Sequence, residues 1–432
     1  MSQRRRRTLF ALAPLAIAAG LPAPAAAQLL PRLPLPAVGP VVRDLDRTLD
    51  AQVADVRQLT DLRRLNLQRL VRQNPRELDV DDRGQAVVRG EILAVSPSER
   101  SLAIARNAGF AVVRQEALDD LGLTLITLAP PPGLSARQGV KRLRRIDPDG
   151  PYDYNHIYAE AGSVGAVTAP AAGLAGAAGE RIGLIDTGAH TSTAALRGLR
   201  IEQRGFAPGG VRPAAHGTAT ASLLAGRAGA FQGAAPGASL LVADVYGAGP
   251  TGGSAAAVVK GLAWMAREKA PVVNVSLVGP PNASLQAVVK ALAGQGTLIV
   301  AAVGNDGPAA PPLYPASYPE VVSVTGVDAR GKVLIEAGRA GHLDFAAPGA
   351  DMAAAASSGF APVRGTSFAA PIVAGKLARL MNGRSPAAAR QAVDALGQQA
   401  RDLGPKGADK TYGRGLVGED VRVSPKKLQQ AG

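Results

Sequence analysis

An acid, an imidazole and a hydroxyl stand in three separate glycine-bearing segments of this chain: Ile182-Gly-Leu-Ile-Asp186-Thr-Gly188, His216-Gly-Thr218 and Gly365-Thr-Ser367-Phe-Ala-Ala-Pro371. A carboxylate that orients an imidazole, and an imidazole that takes the proton of a hydroxyl, together make a nucleophile able to attack an acyl carbon. Asp186 closes an apolar run, which puts its carboxylate at the C-terminal edge of a strand. Alone, Asp-Thr-Gly is an ordinary turn or one half of a paired-carboxylate site, but no second Asp-Thr-Gly or Asp-Ser-Gly is present to complete such a pair.

His216 leads into Gly217-Thr-Ala-Thr-Ala-Ser-Leu-Leu-Ala-Gly226, so its ring is expected at the start of a helix of small residues that packs closely beneath the site. There are four histidines. His156 lies in a different region, His190 follows Asp186 too closely to reach back, and His342 sits in a turn rich in Gly and Arg; a surface role is expected for these three. Ser367 is expected to start a helix whose free N–H groups face developing negative charge. Gly365 permits a tight turn before it, and Pro371 is expected within the first helical turn, where its missing N–H costs little.

The elements that must position these groups alternate. From Arg181 onward, apolar strands are expected at Ile182–Ile185, Ser239–Val245, Val272–Ser276, Thr297–Ala302 and Val321–Val327, separated by helices. That alternation implies an α/β domain with a mainly parallel sheet, helices on both faces and active groups at the C-terminal ends of strands. Upstream, Glu91–Val95, Phe110–Arg114, Leu123–Leu128 and Pro151–Tyr158 read as strands, with helices at Ser98–Asn107 and Ser135–Arg145. This β-α-β-β-α-β order describes a small α+β ferredoxin-like domain. Before it, Asp44–Gln73 carries leucines and valines at helical spacing, an amphipathic helix or hairpin that braces the next domain.

The chain therefore divides into a signal peptide (1–27), a linker and amphipathic helical segment (28–88), the small domain (89–158), a flexible Gly/Ala linker (159–179), the α/β domain (180–420) and a basic tail (421–432). Arg4 to Arg7, the apolar run to Leu21 and Pro-Ala-Pro-Ala-Ala-Ala27 have the order of a cleaved secretory signal, leaving no stable membrane span. Arg6-Arg7 also fits a twin-arginine pattern loosely; the general secretory route is preferred and both remain open. The expected destination is the periplasm or the medium.

The chain has no cysteine, which excludes disulfides, thiolate metal sites and a cysteine nucleophile. Net charge is +14, of which the four arginines near the N-terminus supply four. Aromatics are only 3%, too few to interleave with the basic residues as nucleic-acid binding would need, so no nucleic-acid partner is expected. A generally basic surface drawn to anionic envelope or acidic substrate is the plainer reading.

Taken together, the segments around Asp186, His216 and Ser367 resemble those of the subtilisin-like (subtilase) serine proteases, over about Glu180 to Val417. The resemblance implies a three-layer α/β sandwich and a serine-type endopeptidase in which Asp186 orients His216, His216 takes the proton of Ser367, and Ser367 forms an acyl-enzyme with protein or peptide substrates. Gly304-Asn305-Asp-Gly307, at the end of an apolar strand, looks like the family's oxyanion-hole segment, with Asn305 as a donor; without the triad it would read as a turn cap. Val272-Val-Asn-Val-Ser276-Leu-Val-Gly279-Pro280 resembles the strand and loop that pair with extended substrate, which implies substrate-binding roles for Ser276, Leu277, Val278 and Gly279. Val278 stands where the family usually has glycine, so it narrows the specificity pocket or turns away from it. Gly252 and Gly253 form the opposite substrate edge or an ordinary flexible loop.

The family often binds calcium. After His216, however, Ala225 to Pro236 has no Asp, Glu or Asn, so calcium is not expected at that loop; no cofactor or metal is expected, with calcium elsewhere left open. The small domain resembles the family's inhibitory propeptides, which implies a precursor whose final strand, Asp153–Tyr158, meets the active site, with self-cleavage between His156 and Gly179. A permanently attached regulatory domain is the alternative. Two further readings share the fold: a narrow-specificity processing protease of the cell envelope, and an inactive protein-binding module.

Overall fold

The computed structural model describes residues 56–166 and 180–430. The signal peptide and the linker to residue 55 lie outside the described residues, as do residues 167–179.

The first described element is α1 (Val56–Gln73). Its Leu67 is buried with Leu70 and Val71 beside it, against Leu78, Ala86, Val88 and Ile157, which is the bracing contact its leucine spacing predicts. The small domain then follows the chain order β1 (Leu78–Val80), β2 (Ala86–Val95), α2 (Glu99–Asn107), β3 (Ala111–Leu118), β4 (Leu123–Ala129), α3 (Ala136–Ile146) and β5 (Tyr152–His156). The core of its sheet runs β5-β2-β4-β3, antiparallel throughout, with β1 added beside the first half of β2. Leu102, Ala105, Val140 and Leu143 from the two helices close over Ile92, Ala94, Ile126 and Leu128. Both helix starts are capped: Ser98 accepts from Ser101 N–H, and Ser135 with Gln138 makes a reciprocal capping box.

Beyond β5 the chain does not begin a flexible linker at residue 159. It forms β6 (Ala159–Glu160) and β7 (Ser163–Val164), each hydrogen-bonded to the large domain. Small residues without bulk suit a segment threaded between two walls as well as they suit a linker, and composition alone cannot separate the two.

The large domain is built on β8 (Arg181–Asp186), β9 (Ile201–Gly205), a short hairpin of β10 (Arg227–Ala228) and β11 (Phe231–Gln232), β12 (Ser239–Asp244), β13 (Val272–Val275), β14 (Leu277–Val278), β15 (Leu298–Ala302), β16 (Val321–Val327), β17 (Phe345–Pro348), β18 (Met352–Ala356) and β19 (Gly359–Arg364). Its helices are α4 (Ala215–Ala225), α5 (Ala255–Arg267), α6 (Ala283–Gly294), α7 (Thr366–Leu380), α8 (Pro386–Gln399) and α9 (Pro425–Gln430). Seven strands form one parallel sheet in the order β17-β16-β15-β13-β8-β12-β9. Period-2 alternation divides it: Ile182, Leu184, Val242 and Val300 pack with Leu223, Phe368 and Val373 on the α4/α7 side. Ile185, Leu241, Val273 and Ile299 pack with Val258, Leu262 and Val288 on the α5/α6 side. The result is a three-layer sandwich with β8 and β13 at its centre. The expected basic tail is partly built into this body, since Ala353 N–H donates to Val423 O at 2.8 Å and α9 follows.

Candidate active site

Asp186 is the last residue of β8, and its carboxylate is held from three directions. Thr187 N–H donates to Oδ1 at 2.7 Å, the Thr220 hydroxyl donates to Oδ2 at 3.1 Å, and His216 Nδ1 lies 2.8 and 3.0 Å from the two oxygens. Thr187 also accepts from Gly217 N–H at 2.9 Å, which ties the start of α4 to the end of β8. The approach is so close that a Cβ on residue 217 would lie 2.3 Å from the Thr187 carbonyl oxygen, so glycine is needed there. Burial works to lower the pKa of His216. The charge and hydrogen bond of Asp186, with a further push from Glu160, override it and raise the pKa to about 9.

Ser367 is the second residue of α7 and is fully buried. Pro371 lies inside this helix rather than in its first turn. Its missing N–H leaves the carbonyl of Ser367, one turn earlier, without a helical partner. The Ser276 hydroxyl fills that place, donating to Ser367 O at 2.9 Å while accepting from the Asn274 side-chain amide at 2.7 Å. The Ser367 hydroxyl in turn donates to Ser276 O at 3.2 Å, and His216 Nε2, also buried, makes no hydrogen bond. The acid–imidazole pair is thus assembled, whereas the hydroxyl is turned toward the neighbouring strand.

Asn305 follows β15 and accepts from Thr366 N–H at 3.1 Å, which fixes its side chain next to the α7 terminus. Gly365, at φ 137°, occupies backbone closed to other residues, and a Cβ there would lie 2.7 Å from Asn305 Nδ2 and 2.8 Å from the carbonyl oxygen of Ala161. That carbonyl accepts a 2.9 Å hydrogen bond from Ser367 N–H. A chain carbonyl therefore sits on the N-terminal amide of α7, with the Asn305 amide also beside Gly365.

Residues around that carbonyl run extended through the cleft. Ala159 and Glu160 pair antiparallel with Val278 and Leu277, and Tyr158 N–H donates to Gly253 O at 2.8 Å. The Tyr158 ring lies over Gly279, where a Cβ would come within 2.6 Å of it. Leu277, Val278, Gly279 and Gly253 accordingly contact residues 158–160, and Ser276 lies beside Ser367. A Cβ on the adjacent Gly252 would lie 2.4 Å from the Tyr246 carbonyl oxygen, so its close approach is to its own loop. Glu160 brings its carboxylate within 4.8 Å of the ligand atoms of Asp186 and His216. Glu160 is exposed as a residue, yet loss of water around its carboxyl raises its pKa, with His216 opposing and Asp186 adding to the rise.

Residues 178–415 match the subtilase family, Peptidase_S8. The chain belongs to that family. It is 33% identical to Subtilisin Savinase of Lederbergia lenta over 271 residues, 59% of this chain and 95% of the relative. It is 31% identical to Subtilisin DY of Bacillus licheniformis over 55% of this chain and 88% of the relative. Among solved structures, fervidolysin from Fervidobacterium pennivorans, a keratinolytic enzyme related to subtilisin, has the same fold at a TM-score of 0.64 and 19% identity, covering 82% of this chain and 62% of that one. This subtilase is a serine-type endopeptidase.

Several residues at the site escaped sequence reasoning. Thr220 could have been found as the residue one helical turn after His216, facing the same way. The partners of Ser367 and the cleft position of Glu160 and Ala161 carry no local signal. His156 is not a surface residue: it is buried between the domains, its Nε2 3.2 Å from Asp81 and its Nδ1 3.1 Å from the Asn282 amide.

Proposed function

We propose that this subtilase is an exported endopeptidase made as a precursor, with Asp186, His216 and Ser367 as its triad, Asn305 as an oxyanion donor and the small domain as an inhibitory propeptide. The single observation that carries it is the Ser367 N–H bond to the Ala161 carbonyl, which presents a chain carbonyl to the serine as a substrate would be presented. Rotation of the Ser367 side chain from Ser276 O to His216 Nε2 completes the relay. His216 then takes the hydroxyl proton, its imidazolium is stabilised by Asp186, and negative charge on the attacked carbonyl oxygen is met by Ser367 N–H and the Asn305 amide. Carboxylate, imidazole and hydroxyl supply all the proton transfers, so no cofactor enters a step.

Inhibition follows from the same contacts. The segment after β5 fills the groove on both sides, and the small domain is anchored by Asp153 accepting from Ala283 N–H at 2.7 Å, Asn155 accepting from Ala256 N–H at 3.0 Å, and Asn282 donating to Tyr154 O at 2.8 Å. The first two acceptors meet the N-terminal turns of α6 and α5, where free amides favour oxygen ligands. The N-terminal signal motif supports export, and among the described residues no helix is long and apolar enough to cross a membrane. The test is casein hydrolysis by the purified chain beside Ser367→Ala: hydrolysis by the wild type alone is expected, and intact casein in both after removal of the small domain would contradict the proposal.

A further inference from the structure

We infer that this subtilase cuts itself between Ala161 and Gly162, and that Val278 and Leu313 close the pocket beyond the cut residue so that alanine, with tyrosine three residues before it, is what the cleft accepts. This deepens the proposed function and rests on it. The bond is located by three independent contacts. Ala161 O is on the Ser367 amide at 2.9 Å. The preceding residues are paired on both edges, with Ala159 and Glu160 against β14 and Tyr158 against Gly253. The following residues, Ser163 and Val164, pair with Arg364 and Val363 of β19, and Gly165 N–H donates to Pro362 O at 2.8 Å. Both halves of the segment are thus gripped, and the carbonyl between them is the one held on the Ser367 amide.

In the step itself, Ser367 Oγ bonds to the Ala161 carbonyl carbon as its proton passes to His216. The C–N bond to Gly162 then breaks and His216 returns the proton to the leaving amine. Water, losing a proton to His216, hydrolyses the ester, frees the Ala161 carboxylate and restores the serine.

Shape around the bond sets the preference. Ala161 is 3% exposed and shares one apolar cluster with Val278, Ala302 and Leu313. Leu313 Cδ1 would lie 2.7 Å and Val278 Cγ1 3.5 Å from a Cβ on Gly304, so both side chains reach the turn that follows β15. In this inference the alanine methyl is accepted and a larger side chain is refused by the branched carbons of Val278 and Leu313. On the leaving side, a Cβ on Gly162 would strike the Phe368 ring at 2.5 Å, so glycine is favoured. Tyr158, fully buried, donates its hydroxyl to Pro280 O at 2.8 Å, which gives its slot one polar contact at the end of an apolar wall.

The experiment has two arms. Mass spectrometry of the self-cleaved full chain at the earliest time point is expected to show Gly162 as the new N-terminus, absent from Ser367→Ala. Cleavage at another bond, dependent on Ser367, overturns this inference and leaves the protease reading standing, whereas absence of any Ser367-dependent cleavage of self or peptide overturns both. In the second arm the matured enzyme is given Tyr-Ala-Glu-Ala and Tyr-Ala-Glu-Phe reporter peptides. A preference of about 10²-fold for alanine is expected, as for a pocket that rejects bulk by contact. Val278→Gly and, independently, Leu313→Ala are expected to shrink that ratio at least about tenfold by raising kcat/KM for the Phe peptide. Equal wild-type rates on both peptides, or an unchanged ratio in a folded variant, would overturn it.

Discussion

The two halves of the proposed triad are built differently. Asp186 and His216 are held by a strand end, a helix start and two threonines, with 2.8 Å between imidazole and carboxylate. Ser367 is fixed through its backbone, while its hydroxyl bonds Ser276 O at 3.2 Å and must turn to the imidazole in the proposed relay. Rigidity on the acid side fixes Nδ1 on the carboxylate, so the neutral ring keeps its proton there and leaves Nε2, which makes no hydrogen bond, able to accept one. On the serine side the proposed change is a single side-chain torsion. Pre-organisation is therefore invested where reorganisation would be slow.

Changes to the acid side should sharpen this contrast most. Asp186→Asn leaves the shape of the site intact but presents an amide to His216 Nδ1 and selects the wrong tautomer. A loss of about 10⁴-fold in kcat is expected, a size known from other triad enzymes, with thermal stability little changed. A loss under tenfold would mean that the carboxylate does not set the tautomer. Next, Asn305→Ala should lower kcat by about 10²–10³ with KM nearly constant, a magnitude established on subtilisin itself rather than on this chain. An effect confined to KM would remove Asn305 from the oxyanion role.

On the serine side a smaller effect is expected from Ser276→Ala. It strips the carbonyl of Ser367 of its donor inside a Pro371-interrupted helix, at a stability cost of about 1–3 kcal/mol by denaturant titration. No loss would show that the carbonyl finds another partner. Smallest is Glu160→Gln, read through pH. Only neutral His216 can act as base, so self-cleavage should rise with pH through about 9, the value to which Asp186, against burial and with help from Glu160, raises the ring. Removing the Glu160 charge lowers that pKa, so the rising limb should move to lower pH and cleavage near neutrality should quicken. A limb that stays in place would separate Glu160 from the imidazole.

Much of this was legible in the sequence where the signal was local. Asp186, His216 and Ser367 each sit in a short motif tied to a strand end or helix start, and the five strands read from apolar runs are all in the sheet. The two strands missed, β9 and β17, are its edges. β9 reads Ile-Glu-Gln-Arg-Gly and β17 ends in proline, because edge strands carry charge and tolerate proline where central ones do not. Residues whose meaning depends on distant partners were illegible: Ala161 meets Ser367, His156 is buried against Asn282, and Pro371 acts through Ser276. Nothing in the local composition of Tyr158 to Val164 distinguishes a threaded segment from a free linker.

The most direct test of the central claim is the site of attack by a fluorophosphonate, which forms a covalent adduct only with a base-activated serine. After self-cleavage of the full chain, tryptic mass spectrometry should find a single adduct on Ser367, with labelling largely lost in His216→Ala. An adduct on a different serine, or equal labelling of Ser367 without the imidazole, would contradict the account.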